Sequence, residues 1–76
     1  METKVKTIAD KEPTIEWCQE FVGGTVAMIP LMDGSQLLVN EDGTALKLPH
    51  NDKASQIAGQ YLVGNALVLR GDARLT

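Results

Sequence analysis

Cysteine and histidine each occur once in these 76 residues, and aromatic side chains number only three, Trp17, Phe21 and Tyr61. The lone Cys18 excludes a disulfide within the chain, and with His50 as the only histidine a zinc site made of those two residue types is excluded too. Sparse thiol usage fits a reducing compartment. Cations are also few: seven Lys and Arg face ten Asp and Glu, for a net charge of -3. Affinity for a phosphate backbone rests on clustered cations, so no nucleic-acid partner is expected. The acidity is uneven, with three lysines against six acids in residues 1–38 and four cations against four acids in residues 39–76. Long apolar runs are missing as well. The opening METKVKTIADKEPTIEWCQE is charged throughout and has no signal-peptide core, and no stretch has the length that spans a bilayer. The expectation is a cytoplasmic protein with no membrane partner.

What is present is punctuation and apolar patterning, enough for one small domain over residues 1–76. Residues 3–9 (TKVKTIA) are too short for periodicity to separate a strand from an N-terminal arm, which leaves residues 1–10 as either. Pro13 suits a first helical position and Gly23-Gly24 a helix stop. Ile15, Cys18 and Val22, widened by Trp17 and Phe21, form the apolar stripe of the helix between them. A second, short helix is expected from a cap at Asn51 through Ala58, with Ala54, Ile57 and Ala58 inward and Gly59 beyond its end. The tail from Arg70 to Thr76 has no core-forming pattern and is expected to fray.

The sheet is expected to be built around a hairpin. Thr25 to Leu31 and Gln36 to Asn40 are β-rich runs flanking Asp33-Gly34, a pair suited to a tight turn. A two-residue loop there pairs Ile29 with Leu38 on one face, and Met28 with Val39 and Pro30 with Leu37 on the other. Both faces are apolar, so a sheet covered on one side leaves Met28, Pro30, Leu37 and Val39 as an exposed patch and candidate interface. A homo-oligomer, with a dimer favoured, follows from that patch. Pro30, lacking an N–H, points to an edge or a bulge. Asn40 to Gly43 is a second turn, Thr44 to Leu48 a possible third strand, and Tyr61 to Leu69 a last strand broken at Gly64-Asn65. The fold class is α+β: a small, mainly antiparallel sheet of three or four strands on one amphipathic helix, plus a second short helix.

Chemistry-bearing residues are scarce. His50, followed by Asn51 and Asp52, has the order of a loop base beside a carboxylate, but a turn residue followed by a helix cap accounts for the same letters. Cys18 sits on the apolar face of its helix, where a thiol is an inert packing group. Val22 to Thr25 runs from helix to strand, the reverse of a phosphate cradle. Asn40-x-Asp42-Gly43 resembles the opening of a calcium loop, with the glycine too early and no acid at the closing position. No metal, cofactor or catalytic residue is expected. The two polar loops supply Asn40, Asp42, His50 and Asn51 as candidate ligand-binding residues, lying at opposite ends of the possible third strand. Met28 and Met32 would suit an adaptable surface, although methionines in a strand more often pack.

The order Val22-Gly23-Gly24, Pro30-Leu31, Asp33-Gly34, Leu38 through Gly43, Leu48-Pro49, Asn51, Ile57-Ala58-Gly59 and Val63 through Leu67 resembles a family of small uncharacterised phage and bacterial domains. The likeness spans roughly residues 21 to 68. It implies a compact α+β domain of phage-like origin working in a host cytoplasm, and it transfers no catalytic residue, because the shared pattern is glycine, proline and apolar positions. The function expected is that of a non-enzymatic accessory module binding a host protein. The alternative is an oligomer that sequesters a small nucleotide-like or anionic ligand.

Overall fold

The computed structural model describes residues 3–75. Thr14 starts the first helix, α1 (Ile15–Val22), by accepting the Trp17 N–H on Oγ1 at 3.2 Å. Pro13 therefore lies outside the helix rather than in its first turn, with the hydroxyl cap taking the role assigned to proline. Gly23 ends α1 at φ +85°, its N–H returning to the Gln19 carbonyl. Strand β1 (Val5–Ile8) precedes α1; β2 (Val26–Pro30), β3 (Gln36–Asn40), α2 (Asp52–Ala58), β4 (Ala66–Leu69) and a 3-10 turn (Gly71–Ala73) follow. Residues 3–9 thus supply a strand.

The sheet order is β1-β4-β3-β2, with β1 parallel to β4 and the other two pairings antiparallel. Side chains alternate across it. Leu38, Leu67 and Leu69 face α1 and join Cys18, while Leu37, Val39, Ala66 and Val68 face the other way and join Ala54 of α2 and Leu62. This is the mainly antiparallel α+β sheet expected, with one difference that matters for the surface: both faces are covered. Leu37 is fully buried and Val39 6% exposed, so neither belongs to an exposed patch. Ile15 and Ile57, expected inward, each stand about two-fifths exposed at the rims of their helices.

The hairpin register is one residue away from that of a two-residue turn. Met28 pairs with Leu38, Ile29 with Leu37 and Pro30 with Gln36. The loop spans residues 31–35, closed by the Leu31 N–H on the Ser35 carbonyl and by Asp33 Oδ1 accepting the Ser35 N–H, both at 2.9 Å or less. Asp33 commits its side chain to this turn, and the tight turn gives way to a longer one. Consequently Met28 and Pro30, both exposed, lie on the α1 side and Leu37 and Val39 on the α2 side, so the four expected interface residues do not form one surface.

Two further expectations are corrected. Residues 41–47 form consecutive turns rather than a third strand; the Asp42 and Gly43 carbonyls accept the N–H groups of Leu46 and Leu48, which curls the segment before it can extend. The last strand is only Ala66–Leu69, with an isolated bridge between His50 and Val63 ahead of it. Gly64 separates the two at φ +79°, and a Cβ there would meet Leu48 Cδ1 at 2.8 Å. Within the described residues the tail packs against the fold. Ala73 is fully buried, and Gln36 holds Leu75 by both backbone groups, Oε1 accepting its N–H at 2.6 Å and Nε2 donating to its carbonyl at 2.9 Å.

Candidate functional site

Two of the four candidate ligand-binding residues are buried and use their side chains within the fold. Asn40 is buried; its Nδ2 donates to the Val22 carbonyl at 3.1 Å and its Oδ1 accepts the Asp42 N–H at 2.8 Å. Asn51 is buried as well. Its Oδ1 caps α2 through the Ala54 N–H, and its Nδ2 donates to the carbonyls of Gly64 and Lys4. These amides join distant segments, and each of their side-chain polar atoms has a partner within the fold. Asp42 is exposed on the turn that Asn40 organises.

His50 lies on the surface with its ring stacked on Tyr61, centroids 4.6 Å apart and planes 5° from parallel. Its Nε2 is 3.1 Å from Ser55 Oγ, a pairing that on distance alone invites a nucleophile and base. The surrounding network argues otherwise. Ser55 Oγ lies 2.8 Å from the Asn51 carbonyl and accepts the Leu62 N–H at 2.8 Å. The hydroxyl has one proton, for which the carbonyls of Asn51 at 2.8 Å and Leu62 at 3.2 Å compete with His50. Asp52, the carboxylate expected to orient the ring, accepts instead from Gln56 Nε2 at 3.2 Å.

Because residues 44–48 form no strand, the two polar loops are not held at opposite ends of one. Asn40, Glu41, Gly43 and Thr44 line a depression of about 180 Å³ together with Tyr61, Leu62 and Val63, and Val63 bridges to His50. The depression has the Glu41 carboxylate in its lining and no Lys or Arg, an electrostatic setting opposed to an anion.

A larger groove, about 420 Å³, runs between the β2–β3 loop and the end of α2. Its walls are apolar, from Pro30, Leu31 and Met32 on one side and Ile57 and Ala58 on the other, with Asp33, Gln56 and Arg70 at the rim. Leu31 packs onto the core while Met32 stands fully in solvent. The loop's hydrogen bonds through Asp33 and Ser35 hold Met32 out where the register offers it no core position. The Ser35 N–H, then its hydroxyl, hold the Asp33 carboxyl below the usual carboxylate range, with Arg70 contributing less. Arg70 Nη2 is 3.8 Å from Asp33 Oδ2, and both side chains are more than half exposed, so the pair is loose and available to a partner's charges. The sequence marked Pro30 as an edge residue, Met32 as a possible adaptable surface, Asp33 as a turn residue and Ile57 and Ala58 as an inward helix face; that these meet in one groove with Arg70 is a matter of tertiary placement.

The profile of a family described as Domain of unknown function (DUF3846) matches residues 1–75. No curated protein and no solved structure matches the chain.

Proposed function

The chain belongs to the DUF3846 family, and from the geometry of its surface we propose that it is a non-enzymatic binding module whose partner is a host protein. The observation that carries this reading is the division of labour between side chains. Polar groups able to do chemistry or hold a small ligand, those of Asn40, Asn51 and Ser55, are engaged within the fold. Large apolar groups, Met32 above all, project into solvent beside a groove with a charged rim. An apolar groove bordered by an arginine has the composition of a protein-binding patch, and methionine adapts its shape readily to a partner. The choice of a host protein as the partner rests on the resemblance to phage domains alone.

Sequestration of a small anionic ligand finds less support: the side-chain polar atoms of Asn40 and Asn51 have partners within the fold, and the depression that Asn40 lines includes Glu41 and no Lys or Arg.

The test is affinity capture from host extract with three baits: the wild-type protein, Met32→Asp and His50→Ala. Met32 contributes nothing to the core, so Met32→Asp keeps the fold. A host protein retained by the wild type and by His50→Ala but released by Met32→Asp, and rebinding as a purified protein, supports the reading. Equal retention by all three baits, or stabilisation of the protein by nucleotides with no captured protein, overturns it.

A further inference from the structure

Strand β2 is one edge of the sheet, and its free edge is unusual in carrying no protection by charge. Natural edges are blunted by charges, prolines, bulges or short length; β2 is five residues long and ends in Pro30, but it lacks charge entirely, since residues 21–32 contain no ionisable side chain, acid or base. The opposite edge, β1, carries Lys6 within it and Lys4 beside it. In a protein of net charge -3, a seam free of charged side chains adds no local repulsion between two copies, and β2 is the edge that meets this condition.

The ladder settles which backbone groups are free. Thr25 accepts from Glu41 and Leu31 donates to Ser35, so in the antiparallel alternation Thr25, Ala27, Ile29 and Leu31 point into the sheet. Val26, Met28 and Pro30 point outward. Pro30 thus removes nothing from the ladder and deletes one outward donor. If β2 lies antiparallel to a second β2 about a two-fold axis at Met28, the Met28 residues exchange two hydrogen bonds, and each Val26 N–H reaches the opposing Pro30 carbonyl. Four bonds form without any charged side chain in the seam. Met28, 51% exposed, then lies opposite itself.

We propose that two copies of this chain pair through β2 into one continuous eight-stranded sheet, with Met28 at the two-fold axis. The pairing rests on the edge, not on the groove beside Met32, and either can fail alone.

The experiment is sedimentation equilibrium of the full chain, comparing wild type with Met28→Lys and Met32→Lys. Both positions are exposed, so neither variant is expected to unfold, and circular dichroism with thermal melting checks this. Met28→Lys places two like charges face to face at the axis, whereas Met32 lies outside the paired strand. The expected result is a wild-type dimer, a Met28→Lys dissociation constant raised at least tenfold, and Met32→Lys unchanged. A wild-type monomer at the highest soluble concentration overturns the proposal, as does a Met28→Lys dimer of wild-type affinity. A Met32→Lys variant that dissociates while Met28→Lys does not would place the contact at the groove and equally overturn it.

Discussion

Asn51 and Gly64 are joined by a hydrogen bond of 2.8 Å, from the asparagine Nδ2 to the glycine carbonyl, while the same side chain caps α2 through its other atom. One buried amide therefore ties the start of a helix to the break before β4, and through Lys4 to the approach of β1. Its donor and acceptor are both needed.

Asn51→Asp separates the two roles. Aspartate keeps the cap acceptor, and the helix dipole favours it, but its carboxylate faces two carbonyl oxygens and offers them no donor. We expect Asn51→Asp to lose about 2 kcal/mol or more in urea denaturation, close to Asn51→Ala, on the scale of a cap plus an unsatisfied buried carbonyl. Stability equal to the wild type would mean that the residue only caps the helix.

Cys18 is fully buried among Leu38, Leu67 and Leu69, and desolvation raises its thiol above the ordinary 9.0. Since the folded state holds this proton more tightly than the unfolded chain, the contribution to stability is whole below about pH 9. It declines as pH rises through the raised value, where the unfolded chain has already ionised. A thiol reagent at pH 8 should leave native Cys18 unmodified and label it fully in denaturant, as read by mass spectrometry. Rapid labelling of the native protein would contradict the burial of this thiol between α1 and the sheet.

The tail contributes to stability. A chain ending at Arg70 loses the buried Ala73, the packing of Leu75 and both bonds from Gln36. Burial of that apolar area and the lost hydrogen bonds together correspond to roughly 3 kcal/mol. Truncation should therefore lower the melting temperature well beyond the effect of Gln36→Ala alone. Unchanged melting after truncation would mean that the tail only rests on the surface.

The parts of this fold legible in the sequence are those written in local chemistry. Gly23 and Gly59 end their helices in the left-handed conformation, Asn51 caps the second helix, and Pro30 sits at a sheet edge, as their residue types require. The parts that were not legible depend on contacts far apart in the chain. β1 is fixed by parallel pairing with β4 some sixty residues later, and Gln36 finds Leu75 at the other end of the chain. Doubly apolar strands read as a surface patch because a seven-residue α2 and the loop carrying Leu62 gave little hint that they would pack on the second sheet face. The register slipped by one because Asp33 turned its carboxylate to Ser35. Of the candidate site, the polar residues were identified by type, but their use inside the fold was invisible until their partners were placed.

The central claim is that this domain works through the apolar groove beside Met32 and not through its polar loops. Hydrogen exchange on the complex with a captured, purified partner measures this directly. The predicted result is new protection over residues 31–34 and 56–59, with exchange over residues 41–47 and at His50 unaltered. Protection centred on His50, Tyr61 and the Asn40 to Gly43 turn, with the groove unaltered, would contradict it.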